Sequence, residues 1–317
     1  MKNAALGILL FFTASLCTAY QSQPVEKKGK AKEEKTEEKK DKEDKNEPPK
    51  IGNFALPSTQ QPGAFLSMGQ NVIDKNQIQL YCLADVFHGS KRHNIDAIPA
   101  VVYGITNNLS AFFNIPIAIS YKQDDTHSSG LEDMFLQFEY AVSSKTSSDS
   151  SYQSTILANI TFPSGSTEKT PNTGIGAPSY FLGVTFDKTY VNWLVFTSYG
   201  GVLTTTRNET KYGNELLYQL GIGRNIYSIP SKWIFAWMVE ADGQYTGKNK
   251  INGVKDPNSG GNVLFITPSM WISSNHLILQ LGAGVPVIQH LIGTQDKNSY
   301  LLALNIGWTF GSDKADL

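Results

Sequence analysis

The chain has 317 residues, 40% hydrophobic and 17% charged, with a net charge of −1. A balanced charge gives no electrostatic case for nucleic-acid binding. No series of apolar runs of about 20 residues is present, which excludes a polytopic helical membrane protein.

Met1-Lys2-Asn3 precedes an apolar run from Ala4 to Leu16 and a small-x-small end, Cys17-Thr18-Ala19. A basic start, a short apolar core and a small-residue site read as a secretory signal peptide over residues 1–19, cleaved after Ala19. Leu16 stands where a lipoprotein site wants a small residue, which disfavours lipidation of Cys17. Cleavage leaves Cys82 alone, so the exported chain is expected to hold no internal disulfide.

Residues 20–50 follow, with ten Lys and nine acids between Glu26 and Lys50. Such a stretch cannot bury a core and reads as a disordered Lys/Glu-rich periplasmic linker, a solvated spacer rather than a tether to a polyanion. Residues 51–76, with Pro57, Pro62 and Gly63, read either as a lead-in or as a plug folded inward.

Residues 77–317 alternate with a period of two, the signature of strands rather than helices. In the last segment Tyr300, Leu302, Leu304, Ile306, Trp308 and Phe310 share one face, and Leu301, Ala303, Asn305, Gly307 and Thr309 the other. The pattern recurs at Phe113–Tyr121, Met134–Val142, Ile156–Phe162, Tyr180–Phe186, Leu216–Ile222, Phe235–Ala241 and Leu277–Val285. Further strands are expected near 77–88, 94–103, 191–199 and 263–272. The fold class is all-β, an antiparallel transmembrane β-barrel of about twelve strands. Expected connections alternate between short ones, such as 104–108 and 187–190, and longer ones, such as 122–130, 163–177, 200–213 and 246–262. Short periplasmic turns and long outer loops have this asymmetry, which places both termini in the periplasm. A secreted β-sandwich also alternates, but its strands are shorter and its apolar face is buried. Pro99, Pro116, Pro268 and Pro286 fall inside expected strands, where a missing N–H breaks a ladder bond, so they mark either bulges or strand ends.

Three stretches resemble a known family. Gly130-Leu131-Glu132-Asp133 opens a strand, Thr173-Gly174-Ile175-Gly176-Ala177-Pro178 sits in a long loop, and Leu281-Gly282-Ala283-Gly284-Val285-Pro286 matches a late strand motif echoed by Phe113-Asn114-Ile115-Pro116. With the turn Tyr103-Gly104-Ile105-Thr106-Asn107-Asn108-Leu109, the chain resembles the transporter-like outer-membrane barrels named for the meta-pathway of phenol degradation. Asn107-Asn108 departs from that family's acidic–basic pair, and Glu132 from its second glycine. The resemblance implies an outer-membrane location and, loosely, aromatic substrates, and it carries over no site residues.

If the bulky faces meet lipid, the inward set includes Gln79, Asp85, Asp96, Asn114, Gln137, Glu139, Asn159, Gln219, Glu240, Asp242, Gln280 and Asn305. Dry, unpaired carboxylates are costly, so Glu139, Glu240 and Asp242 should meet water or cations, or join an internal hydrogen-bonded network. The lumen-lining candidates are Glu139, Glu240, Asp242, Gln137, Gln219 and Gln280. Trp308 and Phe310, on an aromatic-ended last strand, are candidates for the signal read by outer-membrane assembly machinery, and equally for lipid anchors. His88, His93, His127 and His290 are placed in or beside outer loops and His276 in a periplasmic turn. A rim hydrolase built on His127 with Ser128, Ser129, Asp124 and Asp125 is the weakest reading, and no metal spacing is apparent. The expectation is therefore a non-enzymatic barrel without cofactor or metal. Its partners are the outer-membrane bilayer, the assembly machinery and a small solute, with no nucleic acid. The leading function is passive passage of small solutes, aromatic or apolar ones included. The alternative is a non-conducting structural or surface-interaction barrel.

Overall fold

The computed structural model describes residues 47–66, 68–69 and 72–311. The expected signal peptide and nearly all of the expected linker lie outside the described residues.

Two 3₁₀ turns (Gly52–Phe54 and Ser58–Gln60) precede the strands β1(Ile78–Gly89), β2(Arg92–Thr106), β3(Leu109–Asn114), β4(Ile117–Gln123), β5(Thr126–Leu131), β6(Phe135–Thr146), β7(Ser150–Thr161), β8(Ser179–Tyr190) and β9(Trp193–Thr204). There follow β10(Thr206–Arg207), β11(Thr210–Lys211), β12(Glu215–Ile229), β13(Trp233–Thr246), β14(Lys250–Ile251), β15(Val254–Lys255), β16(Gly261–Ser273), β17(Leu277–Leu291) and β18(Asn298–Phe310). The short strands β10, β11, β14 and β15 form a separate four-stranded sheet within two loops. All other strands belong to one antiparallel sheet in which β1 pairs with both β2 and β18, so the sheet closes on itself.

Two wall strands are interrupted. β3 and β4 form one strand broken at Ile115-Pro116, and β5 and β6 another broken at 132–134, which gives a closed barrel of twelve wall strands. Closure satisfies every edge, and this is what lets a sheet live in hydrocarbon without orphaned backbone groups.

The period of two sets the two faces. Leu182, Leu203, Leu220, Leu281 and Met270 all point outward and are more than half exposed. Ser198, Thr267, Gln280 and Asn305 point inward and are fully buried. Apolar side chains outside and polar ones within invert the arrangement of a water-soluble sandwich and fit a wall bathed by acyl chains. Cys82 belongs to the outward set and is exposed.

The four prolines sit where pairing is irregular. Pro116 separates β3 from β4. Pro99 lies opposite that break, where β2 changes partner from β4 to β3 and its carbonyl accepts the Ile115 N–H at 3.0 Å. Pro268 falls where the β16–β17 ladder is skipped between Ile266 and Ser269, and Pro286 adjoins the bulge opposite Leu264 and Phe265. Each missing N–H thus faces a gap in the ladder rather than a broken bond.

One expected loop is corrected. Residues 122–130 lie largely within the β4–β5 hairpin, turned over Asp124 and Asp125 alone. The hairpin also sets two members of the expected hydrolase group on opposite faces. His127 faces outward beside Ser120 (3.3 Å), while Ser128, one residue on, is buried with its Oγ donating to the Pro171 carbonyl. His88 and His93 likewise lie within strands.

Candidate functional site

The described residues between 52 and 77 enter from the end of the short turns, reach into the barrel and return to the same end. On the way in, Asn53 N–H donates to Val191 O (2.7 Å), and the Ala55 carbonyl accepts from Ser231 N (2.8 Å), tying the segment to two short turns. On the way out, Asn76 N donates to Gly104 O (2.8 Å) and Lys75 N to Asn107 Oδ1 (3.1 Å), at the β2–β3 turn. Between these points Phe65, Leu66, Met68, Val72 and Ile73 are buried.

Among its described residues the segment has no strand or long helix with which to satisfy its own backbone, so the wall must do so. The Glu240 carboxylate accepts the N–H groups of Phe65 and Leu66, the second at 2.9 Å. Gln219 accepts from Met68 N (3.2 Å) through Oε1 and donates through Nε2 to the Leu66 carbonyl. Gln137 Nε2 donates to Met68 O (3.2 Å) and to Glu139 Oε1 (2.8 Å). Gln280 Nε2 reaches Ala64 O and Asn305 Nδ2 reaches Phe65 O, both at 3.4 Å. Asp242 is held within the wall, accepting from Gln219 Nε2 (3.0 Å) and Thr267 Oγ1 (3.1 Å).

All six lumen-lining candidates are buried on the inward face; Glu240, Gln219, Gln137 and Gln280 reach one stretch of chain, while Glu139 and Asp242 bond to wall side chains beside it. Glu240 is compensated by backbone amides, which are strong donors to a carboxylate in a dry setting. Three further inward residues escaped the sequence reading of the site. Ser110 Oγ accepts from Ile73 N (2.9 Å), Ser273 Oγ donates to Gln60 O (2.7 Å), and Thr309 receives the side-chain amides of Gln60 and Gln79. Their signal was a hydroxyl in the inward phase of its strand.

Glycines make room for the segment. A Cβ at Gly282 would collide with the Phe65 ring, and one at Gly104 with the Asp74 carbonyl. Both glycines lie in the stretches that carried the family resemblance.

Toward the end of the long loops the interior opens into a cavity of about 70 Å³, bordered by Arg92, Thr204, Tyr212, Glu215, Gln244 and Asn298 among others. Loop 162–178 folds beside it and carries Ile175, which is buried against the same cavity. Asp133 holds that loop, accepting from Gly165 N (2.8 Å) and Ile175 N (2.7 Å). Thus two of the resemblance motifs, at 130–133 and 173–178, meet in one carboxylate–amide contact. Trp308 and Phe310 end β18 on the outward face, both nearly half exposed, with His276 stacked on Trp308.

A closed barrel of this topology, apolar on its outer face and filled within by polar and apolar side chains, defines a class, the outer-membrane-type β-barrel. The family model described as "Putative MetA-pathway of phenol degradation" matches residues 67–287, and the chain belongs to that family. Among solved structures, the COG4313 outer membrane channel from Pseudomonas putida F1 superposes with a TM-score of 0.62 at 14% identity, over 75% of this chain and 97% of that one. The NanC porin is more distant, with a TM-score of 0.44 at 14% identity over 73% and 98% of the two chains. No curated protein sequence matches the chain.

Proposed function

We propose that the protein is an outer-membrane channel for passive passage of small solutes, and that residues 52–77 set its resistance. The observation that carries this reading is the closed twelve-stranded wall from which Glu240, Gln219, Gln137 and Gln280 hold one inserted segment by hydrogen bonds. A merely structural barrel could fill its interior with its own long side chains, as small barrels do. Here the contacts are hydrogen bonds from Glu240, Gln219, Gln137 and Gln280 to a chain that enters and leaves by one end, so it can shift without opening the wall. The family's name and the likeness to the Pseudomonas putida F1 outer membrane channel support the same reading.

The solute class is small and weakly polar, aromatic compounds included. The cavity is narrow, and its border mixes Arg92 with Glu215 and uncharged amides rather than presenting one sign of charge. Glu240 and Asp242 are the groups from which an electrostatic preference for cations would come once the segment yields.

Planar-bilayer recording of the full chain tests the proposal. Discrete current steps are expected, and changing Glu240 and Asp242 to Gln and Asn should raise their size and lower the preference for cations. Silence at every voltage in wild type and variant alike would leave a non-conducting barrel, the reading that the tight burial of Phe65 and Ile73 favours.

A further inference from the structure

The strand register assembles a row that no single stretch of sequence displays. On the outward face, near the end of the long loops, Tyr300 of β18 lies opposite His88 of β1, His88 opposite His93 of β2, His93 opposite Lys122 of β4, and Lys122 opposite His127 of β5. The neighbours touch: His88 Nδ1 and His93 Nδ1 are 3.3 Å apart, and the His88 ring stacks on Tyr300 at 5.0 Å. Ser120 Oγ lies 3.3 Å from His127 Nε2. Lys122 and His127 are exposed.

Immediately toward the other end of the barrel, the same face of the same strands carries Val86, Ile95, Ile119 and Leu131, with Ile119 53% and Leu131 40% exposed. Three imidazoles and an ammonium therefore crown the apolar band. Elsewhere along this rim outward positions are held by Tyr180, Leu203 and Tyr245, and by His290 of β17, which lies opposite Asn262 rather than beside another basic residue.

Lys122 stands between His93 and His127 across the strands, where an anion would meet one ammonium and ring N–H donors on either side. The nearby carboxylates do not fill that place. Asp124 pairs with Lys91 at 3.6 Å in the hairpin turns, Asp296 accepts from Ser90 Oγ and Lys91 N, and Asp125 lies in the β4–β5 turn. All three belong to turns and loops beyond the strands, above the row.

We propose that the row binds the phosphate of a phosphorylated glycolipid in the outer leaflet, whose acyl chains lie along Val86, Ile95, Ile119 and Leu131. The site combines a point charge and imidazole donors suited to a tetrahedral phosphate with an apolar strip directly below. A free anion would use only the first half of this arrangement, whereas a lipid uses both. The proposal rests on the membrane orientation of the barrel and not on its conduction.

Native mass spectrometry of the full-length barrel in neutral detergent tests it, with a diphosphorylated lipid A-type glycolipid and its dephosphorylated counterpart as probes. Wild type should retain the phosphorylated form and lose the other. Combining His93→Gln, Lys122→Gln and His127→Gln should reduce retention by at least about tenfold. Lys188→Gln, on the outward face at the opposite end, should leave it unchanged. Inorganic phosphate at equal concentration should not displace the lipid. Equal retention of the dephosphorylated glycolipid, an unaffected triple variant, an equal loss with Lys188→Gln, or full displacement by phosphate would each overturn the proposal. Heat-modifiable migration reports folding, and Lys122→Gln alone, at an exposed position, carries the test if the triple variant does not fold. A barrel that binds lipid but passes no current would separate this inference from the channel reading.

Discussion

Gly282 in the wall stands directly against the ring of Phe65 in the inserted segment, so closely that a single added methyl at 282 would overlap it. Wall and filling are thus matched side chain to side chain. Gly282→Ala should destabilise the barrel by about 1–3 kcal/mol, the usual cost of overpacking. Phe65→Ala removes the obstacle, and the double variant should be less destabilised than the sum of the two single ones. Unfolding midpoints from heat-modifiability gels give the cycle, and strict additivity would show that the two residues do not meet.

Glu240→Ala deletes the acceptor for two segment amides, at a cost of about 3–6 kcal/mol counted as two hydrogen bonds to a charged group. That cost falls on the segment rather than on the wall, whose β13 ladder is unaffected. A protease added from the short-turn side should therefore cut near Phe65 in the variant and not in wild type. Equal resistance would mean that Glu240 is not what holds the segment.

Asp133→Ala should free the amides of Gly165 and Ile175. Hydrogen exchange at those two positions is expected to accelerate, while amides of the neighbouring β6–β7 ladder keep their protection. Asp133→Asn, which keeps one acceptor oxygen, should fall between. Faster exchange throughout β6 and β7 would assign Asp133 to the wall instead of the loop.

Cys82 reports on the outer face. In reconstituted vesicles a lipid-soluble maleimide should label it and a charged, water-soluble one should not, because it lies in the outward phase with Leu80. Reaction with the charged reagent alone would place that face in water.

The wall was legible from the sequence because each strand solves the same local problem, and the solution repeats every second residue. The inward phase of Gln137, Glu139, Gln219, Glu240, Asp242 and Gln280 followed from that repeat. What they touch did not follow. Phe65 and Glu240 are 175 positions apart, and the inserted segment has no period of its own, since its order is borrowed from partners scattered over the barrel. Glycines at 104 and 282 were the available signal, but a strand glycine reads equally as a bulge or a close approach until the neighbour is known. The β4–β5 hairpin was read as a loop for a different reason. Above the apolar band, Thr126, His127, Ser128 and Ser129 are all polar, so alternation of faces leaves no trace in the side chains.

Ile78, the first residue of β1, follows the inserted segment almost at once and is paired with Phe310 at the far end of the chain. Cargo and seam are therefore contiguous. In a cylinder without its filling, water would have to take the place of the Phe65 and Leu66 amides at Glu240. The filling is tethered to the closing strand by the chain itself, so the pairing of that strand limits how far the filling can travel.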